Sequence, residues 1–321
     1  MRILATSQGF SAPENAEAIA YARSKFDEVT LNPYGRIMTP EEVEAMWDGY
    51  DGIIAGVEKY SAEMLERAPA SLKVISRFGV GYEAIDIDAA FRKGIRITIT
   101  PNVNMDAVAD LIVGDMLAIA RNIPYLDNSL KAGKYPRIIS RDLYGQTVGL
   151  VGFGAIGKAV AKRLYGFDCK FLAYDPHFDK ETAAKYGIKE ATLDEIFTQS
   201  DFISLNQPVL PETIGMLNEE RLRSMKKTAY VVNAARCQLV NFEDLKKALR
   251  EKWIAGAAMD AIEPFNMDDK ELLSLDNVIL SSHLGGHTYK CIHDMGVMAA
   301  DGAYAVLHNI DTHLELKKSL Y

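Results

Sequence analysis

Two apolar rhythms alternate along the whole chain. Short runs rich in Ile, Val, Leu and Thr give way to stretches in which apolar residues return every three to four positions. That alternation predicts parallel βαβ units with helices on both faces of a sheet. In the first hundred residues the strands read as Arg2–Thr6, Glu28–Leu31, Gly52–Ala55, Val74–Arg77 and Arg96–Thr98. A second series reads Thr147–Val151, Lys170–Tyr174, Asp201–Leu205, Tyr230–Asn233, Ala255–Met259 and Val278–Ser281. Long helical patterns over Asp106–Arg121 and His287–His308 precede and follow that second series. Thr39-Pro40-Glu41-Glu42 combines a capping residue, a first-turn proline and acids at the positive end of a helix.

The length of 321 residues fits two domains, at about 150 residues each. Leu314–Tyr321 follows the last long helix and is too short to be a domain. Its return to the first domain would make the second an insertion, so residues 1–100 and 291–321 are expected to form one domain and 101–290 the other.

Composition narrows the class. Hydrophobic residues at 48% and charged residues at 25% are ordinary for a globular chain. A net charge of −8 argues against nucleic acid or an anionic lipid surface as partner. The longest apolar stretch, Leu111–Ala120, is about half a membrane span and carries Asp115 in its middle. Cys169, Cys237 and Cys291 stand far apart, which fits a reducing compartment and gives no disulfide framework. With Met1–Thr6 opening directly as a strand, a cytoplasmic protein is expected.

Gly152-Phe153-Gly154-Ala155-Ile156-Gly157 follows the strand Thr147–Val151 and opens a helical pattern at Lys158–Leu164. G-x-G-x-x-G alone is a weak signal in a chain with 23 glycines; strand before, helix after and an acid at the right distance make it specific. Gly152 serves the tight turn, Gly154 lets a pyrophosphate approach the backbone, and Gly157 lets helix and strand pack closely. N–H groups near Ala155 and Ile156 would face the phosphates. Asp175 ends the next strand 18 residues after Gly157, where a carboxylate receives a ribose 2′-OH and repels a 2′-phosphate. No arginine follows in Pro176-His177-Phe178-Asp179, so NAD is expected over NADP.

Ligands of open α/β sheets bind beyond the carboxyl ends of the strands. There the later strands deliver Ala234-Ala235-Arg236, then Asp260 and Glu263, then Ser282-His283-Leu284-Gly285-Gly286. A histidine can exchange the hydroxyl proton as hydride moves, a carboxylate such as Glu263 can fix its tautomer, and an arginine can fork onto a substrate carboxylate. Taken singly each is ordinary: an arginine after a strand is more often half of a surface salt bridge, and Glu-Pro is usually a turn. Their convergence on one edge is what points to a site. In the first domain, Arg77-Phe78-Gly79-Val80-Gly81-Tyr82 could present backbone N–H groups at Val80 and Gly81 to an anion, or be a plain strand-to-helix turn. His283 and His287 are four apart, but Gly285 and Gly286 between them break the helix a metal pair needs, so no metal is expected.

With these residues in hand, the chain resembles the D-isomer-specific 2-hydroxyacid dehydrogenases, the family of phosphoglycerate, glycerate, D-lactate and formate dehydrogenases. The likeness runs through Arg77–Tyr82, Asn104 with Ala107-Val108-Ala109-Asp110, the glycine loop with Asp175, Asn233–Arg236, Glu263-Pro264 and His283–Gly286. The resemblance implies a Rossmann NAD domain inserted into a flavodoxin-like substrate domain, a cleft between the lobes, and a homodimer built through the cofactor domain. It implies that Arg236, Glu263 and His283 are the catalytic triad and that Val80, Gly81, Asn104 and Arg236 hold the substrate. It places Asn206, Gln207 and Pro208 beside the adenosine, Asp260 near the nicotinamide carboxamide, and Ala234, Ala235, Gly285 and Gly286 along the cofactor. The expected reaction is hydride transfer between the nicotinamide and C2 of a 2-hydroxy or 2-keto acid.

The chain departs from the family pattern in places. Asp260 and Glu263 are only three positions apart where relatives often have a longer segment, which affects the placement of Glu263. Cys237-Gln238 replaces small residues, Asp110 stands where glutamate is common, and Asn206 where histidine is common. 3-Phosphoglycerate is a candidate substrate, yet Ile54-Ala55-Gly56-Val57-Glu58-Lys59 lacks the arginine that binds phosphate in such enzymes. Formate or phosphite oxidation and a dinucleotide-gated, corepressor-like binding role are the alternatives.

Overall fold

The computed structural model describes residues 1–262 and 268–317. They divide into two compact units, Met1–Asn104 with His287–Tyr321, and Met105–Gly286.

The first unit carries a parallel sheet of β1 (Arg2–Ala5), β2 (Glu28–Leu31), β3 (Gly52–Ala55), β4 (Val74–Arg77) and β5 (Arg96–Thr98), in the order β2-β1-β3-β4-β5. That is the flavodoxin-like winding. The predicted cap is present: Thr39 and Glu42 form a reciprocal capping box ahead of the Pro40–Glu44 helix. The helix Tyr289–Leu307 lies on this sheet, fixed where Ser76 donates to the Ala299 carbonyl at 2.7 Å and Thr98 donates to Ser76 at 2.8 Å. Beyond it the chain runs antiparallel to β5 at Glu315, whose carboxylate receives Arg96 Nε at 2.6 Å.

The second unit carries β6 (Thr147–Val151), β7 (Lys170–Tyr174), β8 (Ile188–Glu190), β9 (Phe202–Leu205), β10 (Tyr230–Asn233), β11 (Gly256–Met259) and β12 (Val278–Leu280). All pairs are parallel, in the order β12-β11-β10-β9-β6-β7-β8, the doubly wound Rossmann arrangement with its reversal between β6 and β9. Apolar cores cover both faces, one around Ile203, Val231 and Ala257, the other around Val148, Leu150 and Val232. The helix Met105–Ala120 packs beside the helix Ala155–Leu164, and Arg163 of the latter pairs with Asp106 and Asp110.

Most strands keep their predicted bounds, within one residue at each end. Two elements were not anticipated: the edge strand β8 and the helix Ile123–Lys131. Among the described residues no helix is long and apolar enough to cross a membrane.

Candidate active site

The reversal point of the second sheet brings the predicted fingerprint together. Gly152 has φ +96°, and a Cβ there would sit 2.8 Å from the Asn206 carbonyl carbon. A Cβ on Gly157 would collide with the Gly152 carbonyl oxygen, which is why helix and strand meet this closely only through glycine. Gly154 is exposed, with nothing within 4 Å of where its Cβ would lie. It stands as the N-cap of the Ala155–Leu164 helix without a side-chain cap, and the first intrahelical bond is donated by Lys158 to the Gly154 carbonyl. The N–H groups of Ala155, Ile156 and Gly157 therefore precede the helix's own acceptors, and the approach at Gly154 is open.

Asp175, half-buried at the end of β7, accepts from Phe153 N and from His177 N, both at 2.8 Å. One oxygen thus ties the acid back to the glycine loop. A carboxylate offers about four lone-pair sites, so two such bonds leave capacity for a ribose hydroxyl. After β9, Asn206 donates its backbone N–H to Val151 O at 2.7 Å, Gln207 reaches Met216, and Pro208 is exposed. An open loop, unsatisfied helix N–H groups and an acid at the second strand fit a dinucleotide.

The same edge gathers the residues of β10, β11 and β12, which are neighbours in the sheet. Asn233 is fully buried; its side chain donates to Arg236 O at 2.8 Å and accepts from Ala235 N at 3.0 Å, shaping the turn that presents Ala234, Ala235 and Arg236. Arg236 is half-buried, with Nη1 donating to the Ala235 carbonyl at 2.9 Å. Asp260 N donates to Asn233 O at 3.0 Å, and His283 N donates to Asp260 O at 2.7 Å. A chain of backbone bonds thus joins the arginine turn to the histidine loop.

His283 is exposed and adopts φ +58°, an uncommon conformation for a residue with a side chain. Asp260 holds it there. Its carboxylate, fully buried, accepts from Ser281 Oγ at 2.6 Å, Leu284 N at 2.8 Å and Gly285 N at 2.8 Å. In this structure Asp260 is the anchor of the Ser281–Gly285 loop; Gly286 follows half-buried. Glu263 lies outside the described residues.

In the first unit, Gly79 with φ +141° bends the chain after β4. Arg77 Nε donates to Gly81 O at 2.8 Å, Arg77 Nη1 donates to Phe78 O, and Thr100 N donates to Gly79 O at 3.0 Å. With those carbonyls drawn inward, no acceptor among the described residues takes the N–H of Val80 or Gly81. Asn104 is half-buried immediately before the Met105–Ala120 helix. Among the described residues no cluster of His, Cys, Asp or Glu could hold a metal ion.

Two features are not legible in the sequence. Arg77 reads as a strand end, and in the structure its guanidinium donates to the carbonyls of Phe78 and Gly81. Asp115 reads as a charge inside an apolar run, and its spacing from Val108, Ile112 and Ile119 puts it on the buried stripe of its helix.

Residues 113–285 match the family model for the D-isomer specific 2-hydroxyacid dehydrogenase, NAD binding domain. The chain is 42% identical over 259 residues to a glyoxylate reductase of Thermofilum pendens, covering 78% of this chain and 76% of that protein. It is 40% identical over 252 residues to a glyoxylate reductase of Thermococcus kodakarensis, covering 76% and 75%. Among solved structures, the TT0316 protein from Thermus thermophilus superposes with a TM-score of 0.87 at 31% identity, covering 99% of this chain and all of that one. The D-2-hydroxyisocaproate dehydrogenase structure gives 0.85 at 27% identity, covering 98% and 99%. Fold, glycine loop and sequence agree on the class, an NAD-dependent oxidoreductase of 2-hydroxy acids. The chain belongs to the D-isomer-specific 2-hydroxyacid dehydrogenase family.

Proposed function

We propose that the chain reduces a small, unphosphorylated 2-keto acid of the glyoxylate class to its 2-hydroxy acid with NADH, and runs the reverse reaction with NAD. The observation that carries this reading is the backbone relay Asn233–Asp260–His283, which sets Arg236 and His283 at one edge of three adjacent strands, on the sheet that bears the glycine loop. The nicotinamide, when bound, supplies or accepts the C2 hydride. Arg236 forks onto the substrate carboxylate; Val80, Gly81 and Asn104 are assigned to the substrate by resemblance alone. His283, protonated, gives its proton to the carbonyl oxygen during reduction; neutral, it takes the hydroxyl proton during oxidation. Glu263 is assigned by resemblance as the carboxylate that steadies the imidazole. Ala155, Ile156, Gly157 and Asp175 hold the phosphates and ribose; Asn206, Gln207 and Pro208 border the adenosine, and Ala234, Ala235, Gly285 and Gly286 the rest of the cofactor.

Relatives named glyoxylate reductases, 37–42% identical, support the small substrate. So does the end of β3. There the Glu58 carboxyl is buried, accepts from Gly56 N at 2.7 Å and from Thr6 and Tyr60, and leaves Oε2 without a partner among the described residues, while Lys59 is exposed. A phosphate reaching this strand end meets an acid where a phosphate site calls for a guanidinium.

The test follows NADH absorbance with glyoxylate, pyruvate, hydroxypyruvate and 3-phosphohydroxypyruvate. We expect the unphosphorylated acids to exceed the phosphorylated one at least about tenfold in kcat/KM, and His283→Ala to lose roughly 10²–10⁴ in kcat. A wild-type rate in His283→Ala discards the assigned base.

A surface in the second unit supports a second copy of the chain as partner. Ile123, Tyr125, Leu130, Tyr135, Ile139 and Tyr144 are all exposed between the Met105–Ala120 helix and β6. The three free cysteines fit a reducing, cytoplasmic setting.

A further inference from the structure

Asp115 has no place in the chemistry above, yet it is a carboxyl group only 7% exposed, and its Oδ2 finds no hydrogen-bond partner among the described residues. Its position is fixed by its neighbours along the Met105–Ala120 helix. Val108 lies 3.2 Å from where a Gly285 Cβ would be, at the carboxyl end of β11, and Ile119 lies 3.2 Å from where a Gly256 Cβ would be, at the start of that strand. The helix therefore runs the length of β11, and Asp115 falls between these two contacts on the buried stripe. Asp260, one residue beyond β11, is the charge that acts on it.

We propose that Asp115 is a positioning residue for His283: uncharged, it lets Asp260 keep the Ser281–Gly285 loop in place, and once ionised it sets a second buried negative charge against that anchor and loosens the loop. This rests on the reading of His283 as the acid–base group.

The physical basis is the cost of a second negative charge in the same buried interior. Asp260 is committed as acceptor to three donors, two of them backbone N–H groups that cannot turn away. Asp115 Oδ2 has no such donor among the described residues, so nothing there favours its charged form. Burial first, and the Asp260 charge second, push its carboxyl up to about 7. The other charged groups on elements packed against this helix are engaged or remote. On the Ala155–Leu164 helix Arg163 pairs with Asp106 and Asp110, Lys158 with Asp179, and Lys162 is exposed. On Ile123–Lys131, Lys131 pairs with Asp127. β10 contributes the Tyr230 phenol, stacked on Phe202, and β11 and β12 carry no charged residue. Ionised Asp115 thus meets no cation among the described residues, and relief comes from movement of the loop that Asp260 holds.

The sign is testable in the oxidative direction: ionisation of Asp115 loosens the loop that carries His283 and so lowers the rate as pH rises through its raised value. We expect wild-type kcat to fall about fivefold or more between pH 7 and 9. In Asp115→Asn, normalised to its own maximum, the alkaline fall should vanish. Hydrogen exchange at the Leu284 and Gly285 amides, corrected for intrinsic rates, reads the anchor directly: protection should drop about tenfold from pH 6 to 8.5 in the wild type and stay level in the variant. Should Asp115→Asn fail to fold, Asp115→Leu carries the same expectation. Superimposable pH profiles, or unchanged wild-type protection across that range, overturn the role of Asp115 while leaving a crippled His283→Ala to uphold the base. A fully active His283→Ala removes both.

Discussion

Asp175 ties the glycine loop to the end of β7 and is the acid proposed to receive the ribose. Its carboxylate receives Phe153 N inside the glycine loop and His177 N just beyond β7, with lone pairs left over for a ribose. Replacing it with alanine removes the acceptor and the charge that repels a 2′-phosphate. A lost hydrogen bond to a charged group is worth about 1.5–3 kcal/mol, so Asp175→Ala should raise the KM for NADH roughly 10–100-fold. The NADPH to NADH ratio of kcat/KM should rise with it, as measured by paired titrations. This residue was legible from sequence because glycine loop, strand and acid sit at fixed spacing. Arg236 and His283 were legible for a related reason: each closely follows a strand, and strand ends of a parallel sheet share an edge. Asp115 was not. A charge in an apolar run signals only that something offsets its burial, and what lies opposite depends on which strand the helix crosses.

Strands and long helices were read closely from the chain because parallel strands buried on both faces leave nearly continuous apolar runs. β8 escaped because it is an edge strand of three residues, Ile-Lys-Glu, with only Ile188 buried. The helix Ile123–Lys131 escaped because Asn122, at φ +55°, breaks it from its predecessor, and Pro124 in its first turn reads as a loop signal. The turn after β4 was legible as glycine spacing, whereas its clamp was not. Arg77 supplies donors to two loop carbonyls, and a methionine of similar length keeps the packing without them. Arg77→Met should therefore raise the KM for the keto acid about tenfold and change the dissociation constant for NADH less than twofold, as judged by steady-state kinetics and cofactor fluorescence. Equal losses in both would show a wider disturbance than a loosened carboxylate loop.

At the scale of the molecule, the exposed apolar residues between 123 and 144 are the surface proposed for a second copy. Ile139 is fully exposed there, and an aspartate in its place should leave the fold intact while shifting light-scattering mass from dimer toward monomer. An unchanged mass would move the interface elsewhere.

The order of the two units along the chain has a consequence for how the protein is made. The second unit is one continuous stretch, complete once residue 286 has emerged. The first unit begins the chain, yet its sheet waits for the Tyr289–Leu307 helix and for Glu315 beside β5. On a ribosome adding about 5–20 residues per second, the amino-terminal strands are finished earliest and covered last. A product that stalls after residue 286 therefore exposes β3 and β4 while its second unit is already whole, and a chaperone that protects nascent chains would find its binding surface on those two strands.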